Sequence, residues 1–275
     1  VQRFIDEFEC KGDNGPSNRA PTTPAEPGSV LEYLNEIDEP LMPEEQTQFR
    51  SGVGILLHMM RWSRPDVLNA VRELSTHMQQ ASKRALRALK RVMNFIVSTR
   101  ERGYIFKPDK PGEWDGRKDT KKFKIMGKCD SEYAKHSSRR SVNAGITYLE
   151  GSIVKQFSKM MPIVALSTTE AELYSAVLTA QDMMFIYHIL KGFELEVELP
   201  MLLLCDNKGA VDLANSWSVG GRTRHVDVKQ NYLRELKENG FIRVEWRSGE
   251  EMTPDIHTKN VTKQLFDRFS AELVG

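Results

Sequence analysis

The sequence predicts an α/β protein in which a mixed five-stranded sheet with flanking helices follows a small helical module. Two observations support this fold class. Apolar residues recur at helical spacing between residues 44 and 96. From residue 123 onward, strand-like runs and helical runs follow one another in the order three strands, helix, strand, two helices, strand, helix. That order is typical of a mixed sheet covered by helices.

The first 30 residues are predicted to contain a short element and a disordered linker. Residues 10–29 are rich in Pro, Gly, Ser and Thr and almost lack large apolar side chains. Residues 1–9 are expected to be the end of a helix or strand. Because the chain begins with Val rather than Met, we expect it to be a piece of a longer protein.

The helical module is predicted to cover residues 31–107. A first helix covers 44–60, the break at Arg64-Pro65-Asp66 starts a second that reaches residue 78, and Ser82 caps a third. Gly103 ends the third helix, and a short strand is predicted from Tyr104. Residues 108–122, with their Pro, Gly and charged residues, are predicted to be a linker between domains.

The second predicted domain covers residues 123–275. The Glu150-Gly151 pair marks the turn of an antiparallel hairpin, and Asn239-Gly240 marks a helix C-terminus. The predicted elements are strands 123–130, 141–149 and 152–158, helix 169–190, strand 201–205, helices 208–215 and 226–238, strand 242–247, and a last helix from residue 254.

Charge distribution and cysteine spacing bear on whether the protein binds nucleic acid, contains disulfides or holds zinc. The formal net charge is +1, yet residues 83–128 concentrate Lys and Arg. This basic block suits either a nucleic-acid backbone or an ordinary solvated helix face, and both interpretations stay open. The three cysteines have no paired spacing, which is typical of neither a disulfide framework nor a zinc site. No apolar run could span a bilayer, so an intracellular setting is expected, either a cytoplasmic particle or the nucleus.

Four acidic residues lie at predicted element boundaries: Asp130, Glu172, Asp206 and Asp255. Such positions can converge, because the ends of neighbouring strands lie side by side. Ionised carboxylates within several Å repel one another unless divalent cations lie between them. Paired metal ions of this kind serve phosphodiester cleavage.

Six motifs in this half resemble the ribonuclease H domain of copia-type LTR retrotransposon Pol polyproteins. They are Cys-Asp-Ser-Glu-Tyr-Ala at 129–134, Arg-Ser-Val-Asn-Ala-Gly at 140–145, Val-Ala-Leu-Ser-Thr-Thr-Glu-Ala-Glu-Leu at 164–173, Cys-Asp-Asn-Lys-Gly-Ala at 205–210, Arg-Thr-Arg-His-Val-Asp-Val at 222–228 and Asp-Ile-His-Thr-Lys at 255–259. Residues 49–107 resemble the C-terminal end of the same family's reverse transcriptase, through Phe-Arg-Ser-Gly-Val-Gly-Ile-Leu-Leu-His at 49–58 and Ser-Arg-Pro-Asp-Val at 63–67. The family's paired polymerase aspartates are absent, so no polymerase activity is expected from this chain alone.

The resemblance implies a ribonuclease H-like fold and endonucleolytic hydrolysis of the RNA strand of RNA–DNA hybrids. It implies two Mg²⁺ or Mn²⁺ ions held by Asp130, Glu172, Asp206 and Asp255, with Asp130 favoured as the bridging ligand. The polymerase portion of the same polyprotein is the implied partner. An inactive retroelement remnant, or a nucleic-acid-binding module that retains the fold, is the alternative. Glu132 and His257 depart from the residues that the family usually has.

Each acid also has a purely structural interpretation. Asp130 could form a turn, Asp206 could cap helix 208–215, and Asp255 could follow a cap at Thr253. Glu172 could be a solvated acid near a helix N-terminus, and Glu170 competes for its role.

Basic residues are predicted to hold the hybrid by its groove shape and phosphates rather than by its base sequence. The candidates are Arg139, Arg140, Arg222, Arg224, His225, Lys90 and Arg91. His257 is a further candidate for assisting product release, although a structural role is the simpler interpretation.

Overall fold

The structure is a computed structural model that describes residues 1–10, 20–32, 38–106, 116–117, 121–215 and 224–275, without the side chains of 224–228. The described chain divides into two compact units. The first contains Val1–Ile105 and Lys259–Gly275, and the second contains Phe106–Thr258. Parts of the two predicted linkers, residues 11–19 of the first and residues 108–115 and 118–120 of the second, lie outside the described residues.

The elements follow one another in this order: α1 Gln2–Phe8, α2 Pro43–Trp62, a 3₁₀ turn Pro65–Val67, α3 Leu68–Ser75, α4 Lys83–Ser98, β1 Lys122–Phe123, β2 Ile125–Glu132, β3 Val142–Leu149, β4 Ser152–Met160, α5 Thr168–Gly192, β5 Glu196–Val197, β6 Met201–Cys205, α6 Lys208–Asn215, α7 Arg224–Glu238, β7 Ile242–Trp246, a 3₁₀ turn Gly249–Glu251, α8 Asp255–Thr258 and α9 Lys263–Leu273. No helix among the described residues is both long enough and apolar enough to cross a membrane.

The first unit is helical, as its apolar spacing predicts. Ser82 caps α4, because its side chain accepts a hydrogen bond of 3.2 Å from the Ala85 amide. The second predicted helix begins as a 3₁₀ turn and ends at Ser75, three residues earlier than expected. At this turn Arg64 and Asp66 form a buried ion pair with 2.8 Å between Nη2 and Oδ2. The pairing satisfies two charges that would otherwise be costly to bury.

The C-terminal segment packs in the first unit, although the predicted second domain had included it. The Phe266 ring of α9 meets Phe95 of α4 edge to face at 5.5 Å. Gly275 and Gly103 exchange backbone hydrogen bonds of 3.0 and 3.1 Å. The strand predicted from Tyr104 is reduced to an isolated bridge to Val274. The predicted boundaries near residues 30, 107 and 122 stay predictions.

The last predicted helix is interrupted. α8 ends at Thr258, and α9 begins only at Lys263. Between them, the Asn260 side chain donates to the Ser29 carbonyl at 2.9 Å and accepts from Asn69 at 2.9 Å. These bonds hold the intervening backbone in place, so the single helix predicted from Pro254 is wrong.

The second unit is built on a five-stranded sheet with the order β4-β3-β2-β6-β7. β4, β3 and β2 pair antiparallel, whereas β2, β6 and β7 pair parallel. The predicted hairpin turn is present, with φ of 52° at Glu150 and 80° at Gly151. The mixed five-stranded sheet with flanking helices is therefore confirmed. The small parallel pair of β1 with β5 was not predicted.

Helix α5 lies very close to the sheet because two glycines face it. A Cβ on Gly127 of β2 would come within 2.8 Å of Thr179 Cγ2. A Cβ on Gly145 of β3 would come within 2.5 Å of Phe157 Cε1 and would also clash with Thr179 Oγ1. Side chains at these two positions would force the helix outward. The close packing brings the N-terminal turns of α5 to the ends of β2 and β6.

Candidate active site

Asp130 and Asp206 are neighbours because β2 and β6 are parallel and in register. Cys129 pairs with Cys205, and each aspartate is the residue that follows. The cap of α6 is supplied by Asn207, whose Oδ1 accepts a 2.9 Å hydrogen bond from the Ala210 amide. Asp206 is thus not needed to cap α6, and it lies at the end of the sheet beside Asp130. Trp246 holds its backbone, since the indole Nε1 donates to the Asp206 carbonyl at 2.8 Å.

The two glutamates at the start of α5 occupy different positions. Ser167 caps the helix by accepting from the Glu170 amide at 3.1 Å, and Glu170 Oε2 accepts from the Leu166 amide at 2.8 Å. This reciprocal arrangement is close to a capping box. Glu172 points toward the sheet instead, and its Oε1 accepts from the Ser131 amide at 3.1 Å.

Asp255 is the first residue of α8 and is buried. The loop before it is fastened to the sheet by Lys128 of β2. Lys128 Nζ donates to Thr253 Oγ1 at 3.0 Å and to the Glu251 carbonyl at 3.2 Å. The lysine thereby fixes the segment that leads into Asp255.

The structure brings all four predicted acids together in two overlapping groups. In the first, ligand atoms of Asp130, Asp206 and Asp255 lie within 4.8 Å of one another. In the second, the same limit holds for Glu172, Cys205 and Asp206. Asp206 is the member that both groups share, whereas the sequence interpretation favoured Asp130 for a bridging position.

Burial and like charge make this cluster electrostatically unfavourable when no cation is bound. Glu172 is only 6% exposed. Its burial, together with the charges of Asp130 and Asp206 and the Cys205 thiol, raises the pKa of Glu172 to about 11. The hydrogen bond with Cys205 and its own burial raise the pKa of Cys129 well above its ordinary value. Both groups therefore hold their protons at neutral pH.

Asp130 is held from two sides by groups that the sequence did not single out. The Thr258 hydroxyl of α8 donates a short hydrogen bond to Asp130 Oδ2. Ser175 Oγ of α5 lies 2.6 Å from the Asp130 carbonyl and 3.0 Å from that of Ala144. One signal could have indicated Thr258, because it follows Asp255 by three residues and thus shares its helical face.

His257 belongs to neither acidic group. Its Nε2 lies 2.9 Å from Gln156 Oε1 of β4, and its carbonyl accepts from Ser158 at 2.6 Å. Complete burial lowers the pKa of His257 to about 3, so the ring is neutral. These contacts agree with the structural interpretation of this residue.

The predicted nucleic-acid-binding residues lie in separate places. Arg139 and Arg140 are exposed on the loop that joins β2 to β3, at the sheet end that carries Asp130. Arg224 and His225 begin α7, but their side chains lie outside the described part of the chain, as does all of Arg222.

Lys90 and Arg91 belong to α4 of the first unit. Lys90 is exposed, whereas Arg91 is partly buried, with Nη1 3.7 Å from Glu26 Oε1 and Nη2 3.4 Å from Thr23 Oγ1.

The donor set fits hard divalent cations. Asp130, Asp206 and Asp255 offer only carboxylate oxygens, which Mg²⁺ and Mn²⁺ prefer. The Cys205 thiol donates toward Glu172 Oε2 at 3.9 Å and so acts here as a hydrogen-bond donor. Cations among these residues would offset the burial and the like charges that keep Glu172 protonated.

The chain is similar to transposon-encoded proteins over most of its length. It is 28% identical over 228 residues to the retrovirus-related Pol polyprotein from transposon TNT 1-94 of Nicotiana tabacum, which covers 82% of this chain. It is 26% identical over 262 residues to that from transposon RE1 of Arabidopsis thaliana, which covers 92%. A Gag-Pol polyprotein of transposon Ty1 from Saccharomyces cerevisiae is 22% identical over 91% of the chain.

The resemblance to transposon Pol polyproteins is thereby confirmed, although the chain spans only 16% of the length of the first two relatives. No family model matches the chain.

Two solved structures are similar to part of the chain. An N-terminal RNase H domain from Mycobacterium tuberculosis is 12% identical, with a TM-score of 0.37, and covers 54% of this chain and 96% of that domain. LC11-RNase H1, solved in complex with an RNA/DNA hybrid, is 12% identical, with a TM-score of 0.38, and covers 47% of this chain and 88% of that protein.

Proposed function

We propose that the second unit is a ribonuclease H that hydrolyses the RNA strand of RNA–DNA hybrids within a retrotransposon Pol polyprotein. One observation carries the proposal: carboxylates from the ends of β2 and β6 and the starts of α5 and α8 gather within reach of shared cations. The names of the relatives supply the polyprotein context. The polymerase portion of the same polyprotein is the proposed partner.

Two divalent ions, Mg²⁺ or Mn²⁺, are the proposed cofactors, held by Asp130, Asp206, Asp255 and Glu172. When bound, they lower the pKa of an attacking water and stabilise negative charge on the phosphate in the transition state. The central place of Asp206 in both groups suits a ligand shared between two ions. The oxygen-only character of the first group favours hard cations over zinc or copper.

The surrounding residues keep the carboxylates oriented. Thr258 fixes one oxygen of Asp130, the Ser131 amide fixes one oxygen of Glu172, and Lys128 fastens the loop before Asp255. Such supporting hydrogen bonds decide how well ligands are arranged before cations and substrate bind.

Binding of the hybrid is assigned to cations near the same sheet end. Arg139 and Arg140 extend from the loop that follows β2, and we propose the same role for Arg222 and for Arg224 and His225 at the start of α7. Lys229 supports that position, because its Nζ lies 4.1 Å from the ring of Tyr174, two residues after Glu172. These groups would contact phosphates, while the hybrid is distinguished by its groove shape and 2′-hydroxyls.

The test is cleavage of a labelled RNA–DNA hybrid by the purified chain with Mg²⁺. We expect RNA fragments from the hybrid and no cleavage of duplex DNA. Asp206→Asn should abolish cleavage, whereas Asp212→Asn, which removes an exposed carboxylate from α6, should leave it intact. Metal-independent, salt-sensitive binding of the hybrid without any cleavage would indicate a binding module or inactive remnant instead.

A further inference from the structure

A cavity of about 440 Å³ lies in the first unit, between α3, α4 and the segment 24–31. Its volume falls within the range of about 300–1,000 Å³ that is usual for small-molecule sites. None of its lining residues belongs to the carboxylate cluster of the second unit. The cavity is therefore a separate site that shares no residue with the proposed nuclease site.

The polar side of the cavity is an arginine ladder on α4, formed by Arg84, Arg87 and Arg91. These residues follow one another at spacings of three and four, so their side chains share one helix face. The spacing concentrates positive charge along one wall.

The acidic residues of the cavity neutralise this ladder only in part. Glu73 Oε2 already accepts hydrogen bonds from the Leu31 amide at 3.4 Å and from Asn260 Nδ2 at 3.2 Å. Glu26 lies 3.7 Å from Arg91, and its side chain is 75% exposed. Arg91 Nε is buried and has no hydrogen-bond partner among the described residues. Within the described part of the chain, the hydrogen bond of Arg84 is a long one of 3.4 Å to the Val30 carbonyl. The guanidinium groups thus retain donors for an anion.

The remaining wall is apolar. Val30, Leu74 and Val92 line it, together with the small side chains of Ala70 and Ala88. A bare inorganic anion would satisfy the arginines but would leave this apolar surface uncovered. A ligand that covers both walls needs an anionic group and a weakly polar body.

We infer that this cavity binds a nucleotide unit, with the phosphate on the arginine ladder and the base against Leu74 and Val92. Arginine suits phosphate because its fork of donors matches two phosphate oxygens. The unit comes either from a free mononucleotide or from a residue of a single strand, and both present the same chemistry.

The first experiment compares ligands on the full chain by calorimetric titration. We expect AMP to bind saturably at one site, with adenosine and inorganic phosphate each at least about tenfold weaker, because each lacks one of the two contacts. A short single-stranded oligonucleotide is titrated in parallel. If the oligonucleotide binds saturably and AMP does not, the nucleotide unit comes from a nucleic-acid strand. If neither binds saturably, or if an acidic peptide binds in their place, the inference is wrong.

The second experiment uses variants of the cavity. Arg87→Gln removes one charge of the ladder, and Ala88→Leu fills the cavity without changing charge. Each should weaken binding of the nucleotide probe by about tenfold or more. Arg61→Gln, which removes an exposed arginine of α2 outside the cavity, is the matched control and should bind normally.

Circular dichroism and thermal unfolding verify that each variant is folded. If Ala88→Leu does not fold, the binding measured with Arg87→Gln is sufficient for the test. Equal weakening by Arg61→Gln would mean diffuse charge attraction and would overturn the assignment.

Discussion

At the start of α5, two glutamates separated by one residue differ in what surrounds them. Glu170 closes the helix N-terminus through the Leu166 amide, and Glu172 joins Asp206 in one of the two acidic groups. The two side chains are of the same type and are nearly equally buried, at 5% and 6% exposure. They therefore form a matched pair for testing which carboxylate serves catalysis.

Glu172→Gln should reduce hybrid cleavage by about 100-fold or more, the order expected when one preorganised charged group is removed from an active site. Glu170→Gln should leave cleavage nearly unchanged and lower the free energy of unfolding by about 1 kcal/mol, because a capping contact is weakened. The measurements are single-turnover cleavage and urea denaturation. The assignment is reversed if Glu170→Gln is the inactive variant.

The raised pKa of Glu172 predicts a pH-dependent stability. Its folded-state pKa of about 11 exceeds the value of 4.5 expected in the unfolded chain. Between these values the folded state holds a proton that the unfolded state releases, so stability is full below pH 4.5 and is lost as pH rises. The slope is at most about 1.4 kcal/mol per pH unit for one proton.

Urea denaturation with EDTA between pH 5 and 9 tests this slope. Glu172→Gln should remove most of it, and adding Mg²⁺ should do the same. A slope that is identical in the variant would exclude Glu172 as its source.

Thr258 is a positioning residue for Asp130. Thr258→Val keeps the shape but removes the hydroxyl that donates to Asp130 Oδ2. Cleavage should fall about 10- to 100-fold, as is usual when a supporting hydrogen bond of a metal ligand is lost, and more Mg²⁺ should be needed for half-maximal rate. Thr258→Ser, which restores the hydroxyl, should recover both. A loss of activity that is equal in the serine variant would assign Thr258 a packing role.

The four acids were accessible from the sequence because each lies in a short local motif at an element boundary. Their supporting residues were not, because the contacts are distant along the chain. Thr258 and Asp130 are 128 residues apart, and Trp246 and Asp206 are 40 apart. The spacing of Thr258 from Asp255 indicates a shared helical face, but no local pattern encodes the pairing of Thr258 with Asp130 or of Trp246 with Asp206. These contacts arise only when strands and helices are assembled.

At the scale of elements, local sequence signals correctly predicted where some strands and helices begin and end. β6 and α6 have the predicted bounds, because an apolar run and an Asn cap are both local features. The break between α8 and α9 was not predicted. The side chain that holds the break, Asn260, finds its partners at Asn69 and Ser29, far away in sequence.

The contact between β3 and α5 depends on Gly145. Gly145→Ala should lower the free energy of unfolding by about 1–3 kcal/mol, since the new methyl group would overpack against Thr179 and Phe157. Gly192→Ala, at the end of the same helix, meets nothing within 4 Å and is the control. Chemical denaturation of both variants provides the measurement. Equal stability of the two would show that α5 can move outward at little cost.

At the scale of the whole molecule, the grouping of the C-terminal segment with the first unit was not predictable from composition. α9 carries an ordinary amphipathic pattern that could cover either a sheet or a helix. Its location is shown by long-range contacts, among them the pairing of Phe266 with Phe95 and the bridge from Val274 to Tyr104.

Phe269→Ala should therefore destabilise the first unit by about 3–5 kcal/mol, because a fully buried ring is removed. Hydrogen exchange followed by mass spectrometry should show faster exchange in α2–α4 and unchanged exchange in β2 and β3. Arg268→Ala, an exposed neighbour on α9, should change stability by no more than about 0.5 kcal/mol. Faster exchange confined to β2 and β3 would contradict the grouping.

The parallel register of β2 with β6 has a consequence for how this chain tolerates change. Successive side chains of a strand point to opposite faces, so the carboxylate of Asp206 keeps its direction only while the count of residues along Met201–Cys205 is preserved. Many apolar replacements inside that strand would be accepted. Loss or gain of one codon there would turn Asp206 to the opposite side of the sheet, even though every acidic residue remained in the gene.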